Sequence, residues 1–239
     1  MEESLGTLRR SLEAARIVAF TGAGISAESG IPTFRGQDGL WRSSSPQQLA
    51  TPEAFSRDPR LVWEWYDWRR QIIHKAQPNA GHRALAGIER RAGGRFTLVT
   101  QNVDGLHDRA GSCNLVKLHG DIWRVRCLGC AAEEQNEQVP LDPLPPRCRC
   151  GALLRPAVVW FGETLPQSAW DRAQEAAARA EVFLAIGTSA LVYPAAGLVQ
   201  VAHQAGARVA ILNPDPTPAD ELAEWILRGP AGEILPRLL

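Results

Sequence analysis

Four of the five cysteines stand in two tight pairs, Cys127-Leu-Gly-Cys130 and Cys148-Arg-Cys150. Two close knuckles of thiolates suit a tetrahedral Zn²⁺ site. With sulfur in all four positions no place is left for water, so the ion, one per chain, is expected to be structural. The second pair is C-x-C, shorter than the more usual C-x-x-C, and incidental cysteines are the competing reading. Cys113 stands apart and is expected to be a buried thiol.

A second pattern is Gly22-Ala-Gly-Ile-Ser-Ala27, directly after the apolar run Ile17–Phe20. It fits G-x-G-x-x-G/A, in which glycines let the backbone approach a pyrophosphate and the next helix N-terminus favours the anion. The acid expected about 20 residues later at the end of a second strand is missing; Gly30-Ile-Pro-Thr-Phe-Arg35 runs there instead. The motif thus points to a dinucleotide without pointing to hydride transfer, and it also reads as a tight turn packing a helix on a sheet. Polar residues follow four further apolar runs: Thr100-Gln-Asn-Val-Asp104, Lys117-Leu-His-Gly120, Ile186-Gly-Thr-Ser189 and Leu212-Asn-Pro-Asp215. Strand C-terminal ends line the ligand crevice of an open parallel sheet. There His119 can act as a general base, although each such residue taken singly also fits a cap or turn. His74, His82, His107 and His203 have no such placement and read as structural. Tyr66 and Arg69, i and i+3 on a helix, can clamp a carboxylate or simply pack on a surface.

These residues need a scaffold, and the periodicity supplies one. Helices are expected at 7–16, 59–76, 80–92, 167–179 and 194–205, with Leu61, Trp65, Trp68 and Ile72 as the apolar face of the second. Strands are expected at 16–20, 96–100, 115–118, 182–186 and 208–212. Apolar strands alternating with helices imply an α/β fold, a parallel sheet covered on both faces. The pattern breaks at 121–156, which holds the paired cysteines and a proline-rich stretch but little apolar content. This reads as a small metal-held module inserted into a large domain of residues 1–120 and 157–239, with helical support from about 35–80.

The composition narrows the function classes. Of 239 residues 45% are hydrophobic, and 26 basic residues balance 26 acidic ones, so no broad nucleic-acid face is expected. No run is long and apolar enough to span a membrane, and the N-terminus lacks a secretory h-region. The expectation is a cytoplasmic protein that needs no nucleic acid or membrane.

Taken together, these residues resemble the sirtuins, NAD-dependent protein-lysine deacylases. The resemblance runs from about residue 10 to 232 and is carried by Gly22–Arg35, Gln101–Asp104, Lys117–Gly120, the four cysteines, Val158-Val-Trp-Phe-Gly-Glu163, Gly187–Ser189 and Asn213–Asp215. It implies a Rossmann-like domain with a small zinc module, NAD as cofactor, and acylated lysine in proteins as substrate, acted on by a monomer. By resemblance His119 is the catalytic base. Gly22, Ala23, Gly24, Ala27, Glu28, Phe34, Arg35, Gln101, Asn102, Val103, Asp104, Gly187, Thr188, Ser189, Asn213, Pro214, Asp215 and Ala231 are cofactor-binding. Val158, Val159, Trp160 and Phe161 offer an extended edge to the substrate backbone. Leu49–Phe55 and Trp65–Arg69 resemble a subgroup that removes succinyl and malonyl groups, in which Ala50 makes room and Tyr66 and Arg69 bind the acyl carboxylate. The products implied are nicotinamide, free lysine and 2′-O-acyl-ADP-ribose. Readings still open are a dehydrogenase, a non-catalytic NAD sensor, and a mono-ADP-ribosyltransferase or NAD glycohydrolase of the same fold.

Overall fold

The computed structural model describes residues 1–33 and 46–239. The main sheet is built from β1 (Ile17–Thr21), β2 (Phe96–Thr100), β3 (Leu115–Lys117), β7 (Val182–Ile186), β8 (Arg208–Leu212) and β9 (Trp225–Leu227). Its order is β3-β2-β1-β7-β8-β9 and every pairing is parallel. The order reverses between β1 and β7, and the crevice outside the strand C-termini opens at that switch point. β1 and β7 are buried along their whole length. One apolar layer lies under α1 (Glu2–Leu12) and α6 (Ala80–Ala92), the other under α8 (Gln167–Ala178) and α9 (Gly197–Gln204). Sheet burial on both faces explains why the strands read as continuous apolar runs rather than alternating ones.

The first helix begins earlier than the sequence suggests, because Leu5, Leu8 and Leu12 form its buried stripe, with Glu2 and Glu3 in its first turn and Arg9 and Arg10 in its last. β9 is too short to announce itself by periodicity.

A second sheet is antiparallel, ordered β5-β4-β6, from β4 (Gly120–Cys127), β5 (Glu133–Gln135) and β6 (Leu154–Val158). Its inner face does not make a core alone. Ile122, Val125, Leu154 and Val158 pack with residues of α4 (Pro52–Arg57) and α5 (Pro59–Lys75) in one cluster. Proline at the first turn and side-chain caps from Thr51 and Asp58 start these two helices. The face of α5 turned inward differs from the expected one: Val62, Trp63, Tyr66 and Ile73 are buried, whereas Leu61 is 47% and Trp68 44% exposed. Apolar residues occupy both sides of this helix. The small sheet decides between them, in part through a hydrogen bond from Trp63 Nε1 to the Leu154 carbonyl (2.8 Å). No helix among the described residues is long and apolar enough to cross a membrane.

Candidate active site

The loops after β1 and β7 meet at the floor of the crevice. Gly22 N–H donates to Ile186 O (3.0 Å) and Gly24 N–H to Gly187 O (2.8 Å). A Cβ on Gly22 would lie 2.8 Å from Gly187 O, and one on Gly24 2.7 Å from Gly187 Cα. The glycines therefore allow two loops to touch. The helix expected after them is a single turn, α2 (Gly24–Ala27), ended at once by the chain's reversal toward Gly30. Ala23 is half-buried and Ala27 exposed beside it. Glu28 accepts a hydrogen bond from Gly232 N–H (2.7 Å), tying this loop to the short helix α10 (Ala231–Ile234), whose first residue, Ala231, is buried. Phe34 and Arg35 lie outside the described residues.

From the end of β2, Gln101 donates through Nε2 to Thr188 Oγ1 (3.0 Å), and Asn102 through Nδ2 to Gly22 O (3.1 Å). Val103 is half-buried, its carbonyl accepting Ile122 N–H. Asp104 is buried; Oδ2 accepts from Ser26 Oγ (2.7 Å) and Oδ1 from Leu106 N–H (2.8 Å). Burial pushes its carboxyl up, against the pull of those two donors and of the Arg69 charge. Beneath lie polar groups that the sequence reading left as structural. His107 Nε2 is 3.0 Å from Thr21 Oγ1, His82 Nε2 is 3.4 Å from Ser26 Oγ, and the two rings stand 4.9 Å apart. The sequence signal for His82 is its place three residues after the helix cap Asn79.

His119 follows β3. Its Nδ1 lies 3.0 Å from the Gln101 carbonyl, which can only accept, so Nδ1 carries the proton and Nε2 of the neutral ring keeps its lone pair. Burial lowers its pKa, opposed by that hydrogen bond. The His119 carbonyl in turn accepts Val159 N–H (2.9 Å), which joins the crevice to the 158–161 segment. Trp160 N–H is taken by Glu163 Oε2 (2.8 Å) and Phe161 N–H by the Ala50 carbonyl (2.9 Å). All three N–H groups of Val159 to Phe161 thus bond within the chain. Val158 is buried in the small-sheet core.

Tyr66 is 2% exposed, and its hydroxyl accepts from Trp160 Nε1 (2.9 Å). Burial pushes this phenol up to about 12. The Arg69 guanidinium lies 4.9 Å from the Trp65 ring centroid and 5.8 Å from that of Tyr66. At the far end of the crevice, Ser189 is half-buried beside the buried Thr188. Asn213 Nδ2 donates to Asp215 O (2.8 Å), a bond inside the β8 loop that leaves Pro214 and Asp215 exposed.

The ligand atoms of Cys127, Cys130, Cys148 and Cys150 all lie within 4.8 Å of one another. Cys127 Sγ–Cys150 Sγ is 3.5 Å and Cys130 Sγ–Cys148 Sγ 3.8 Å. A tetrahedron with Zn–S near 2.3 Å has edges of about 3.8 Å. The N–H groups of Cys130 and Gly129 both point at Cys127 Sγ and pull its pKa down to about 6. The cluster thus fits a thiolate-bound zinc. Cys113, in contrast, is exposed: it lies in the loop before β3 rather than on a strand.

A concavity of about 1510 Å³ is lined in part by Lys117, Asp121, Trp123 and Glu163, and His119, Asn102 and Asp104 are not among its lining residues. Its charges largely pair with each other, as Lys117 does with Asp108 and Asp121. The chemistry therefore belongs to the crevice.

A sequence profile of the Sir2 family matches residues 22–194. An NAD-dependent protein deacylase from Aquifex aeolicus is 57% identical, over 89% of this chain and 89% of its own. The chain belongs to the Sir2 family. NAD-dependent protein deacylase 1 of Archaeoglobus fulgidus is 50% identical over 100% of this chain and 97% of its own. A solved Sir2 homologue in complex with NAD superposes with a TM-score of 0.91 at 48% identity, covering 98% of this chain and 91% of that one. Sir2 membership accounts for the switch-point crevice and the four-cysteine cluster together.

Proposed function

We propose that this Sir2-family protein removes acyl groups from protein lysines in an NAD-dependent reaction, with a preference for acyl chains that end in a carboxylate. The observation carrying the catalytic reading is His119: its Nδ1–H is held by Gln101, its Nε2 lone pair is available, and its carbonyl holds the segment flanking Tyr66 and Ala50. The side-chain-free floor at Gly22, Gly24 and Gly187, with Gln101, Asn102 and Asp104 beside it, fits a dinucleotide. When bound, NAD would supply a ribose carbon whose bond to a neutral leaving amide can break. His119 Nε2 would accept a proton from a hydroxyl. Asn102 and Asp104, held by Gly22 and Ser26, would orient the cofactor. Tyr66 and Arg69 would receive the acyl carboxylate, beside the small Ala50. The zinc, with sulfur at every position, would hold the small unit together and take no part in chemistry.

On this reading the large domain comprises residues 1–120 and 157–239 and the zinc module 121–156, completed by the helices at 46–75; their shared core supports that division. We propose a monomeric cytoplasmic enzyme that acts on acylated proteins; the balance of 26 basic against 26 acidic residues fits a protein that works without nucleic acid. The test is a panel of succinyl-, malonyl- and acetyl-lysine peptides incubated with NAD and read by mass. Deacylated peptide with one nicotinamide per turnover is expected. Nicotinamide release independent of acylated peptide would instead indicate a glycohydrolase or ADP-ribosyltransferase.

A further inference from the structure

We propose that Trp160 is a specificity-determining positioning residue: its indole N–H, donated to the Tyr66 hydroxyl, aims the hydroxyl's own proton at the carboxylate of the acyl group. This rests on the carboxylate reading above.

A phenol oxygen carries one proton and accepts through its lone pairs, whereas an indole only donates. The 2.9 Å contact between Trp160 Nε1 and Tyr66 Oη therefore has one sense, and it removes the indole side as a direction for the Tyr66 proton. Among the described residues no acceptor takes that proton. Tyr66 shares its helix face with Arg69, one turn on, so hydroxyl and guanidinium can serve one anion. Accepting one hydrogen bond also strengthens the bond the same oxygen donates. A phenol is protonated at neutral pH, as a donor must be, and burial moves this one further from ionisation.

The indole is held unusually firmly for a wall residue. The Arg155 guanidinium carbon lies 3.4 Å from its ring centroid, and the Phe55 ring lies 5.3 Å away, tilted by 37°. Arg155, 4% exposed, makes a two-bond pair with Glu163 (2.6 and 2.9 Å), and Glu163 Oε2 also takes the Trp160 backbone N–H (2.8 Å). Burial raises the Glu163 pKa, but Arg155 and the Trp160 N–H outweigh it and hold the carboxylate ionised. A buried ion pair is a weak source of stability, and its best use is to fix one geometry. Here the geometry fixed is that of the indole.

The experiment measures kcat/KM for succinyl and acetyl peptides at saturating NAD on the wild type, Trp160→Phe, Tyr66→Phe, their double variant and Arg69→Met. Trp160→Phe is expected to lower the succinyl-to-acetyl ratio about tenfold, through KM for the succinyl peptide. In the Tyr66→Phe background the same change should move the ratio less than about twofold, because the two act through one hydroxyl. If Arg69→Met lowers the ratio and Trp160→Phe does not, the indole's role is overturned alone. The same holds if Trp160→Phe acts equally in both backgrounds, which marks a mere wall. If Arg69→Met leaves the ratio unmoved, the carboxylate reading falls and takes this one with it. Should Trp160→Phe not fold, Glu163→Gln loosens the ring through Arg155. It should lower the ratio in the same direction, and an unchanged ratio overturns the proposal.

Discussion

His119 donates through Nδ1 to Gln101 and keeps Nε2 basic, so the proposed reaction depends on one unprotonated ring. His119→Ala should retain NAD binding and fold while deacylation falls about 10²–10⁴-fold, as loss of a general base typically costs; turnover within a few-fold of wild type removes it from this role. Burial lowers the His119 pKa from its ordinary value of 6.5, so the base remains unprotonated below that value and activity is lost only as pH falls further. A pH profile of kcat/KM should show its acid limb below pH 6.5. A limb above it would mean the ring is charged at neutral pH. For Arg69, a charge-assisted hydrogen bond contributes about 1.5–3 kcal/mol. Arg69→Met should thus cut succinyl kcat/KM by about one to two decades, with a far smaller loss on an acetyl peptide. Equal losses would assign Arg69 to fold or cofactor instead.

At the scale of elements, the meeting of the β1 and β7 loops is the tightest feature of the crevice. Gly187 has φ +57°, and a Cβ there would sit 2.4 Å from Ile25 N. Gly187→Ala combines left-handed strain of about 1–2 kcal/mol with a backbone clash. For a chain of this size the melting temperature should fall by at least about 4 °C, together with NAD affinity; an unchanged melting curve would show that the loops separate freely. The zinc knuckles act on another element, the small sheet. Cys127 ends β4, and its neighbour across β6 is Leu154, inside the core shared with α4 and α5. Cys127→Ser should therefore lose zinc, melting temperature and activity together. A zinc-free variant with wild-type stability would refute the structural role.

Across the whole molecule, two buried histidines make folding sensitive to acid. Burial, aided by Arg83, lowers the His82 pKa to about 4, and burial, then His82 and Lys117, lowers that of His107 well below 6.5. Below pH 6.5 the unfolded chain binds protons that these rings refuse in the fold. The stability they contribute is full above that pH and is lost progressively toward about pH 4, by about 3 kcal/mol for His82 alone. Asp104, pushed up by burial, acts with the opposite sign but is one group against two. Urea unfolding at pH 7.5 and 4.5 should show the drop, and a flat profile would mean that the histidines accept protons in place.

The sequence alone determined what depends on residue type and short-range spacing. The extents of α6, β2, β7 and β8 were legible because caps, glycines and continuous apolar runs bound them. The thiolate chemistry of the four cysteines follows from their pairing, and the placement of Asn102, Asp104 and His119 from their position after strands. Tertiary structure decided what depends on distant partners. Which side of α5 faces inward was ambiguous, since apolar residues lie on both, until the small sheet covered Val62, Trp63 and Tyr66. The glycines of the first loop read as a phosphate cradle from their spacing; that they also let this loop touch the Gly187 backbone, over 160 residues away, only the fold shows. Nothing local shows that His119, Glu163 and Ala50 accept the N–H groups of Val159, Trp160 and Phe161. The Trp160–Tyr66 hydrogen bond joins residues 94 apart. Such contacts leave no periodicity, because they are made by the packing of two units rather than by either chain segment alone.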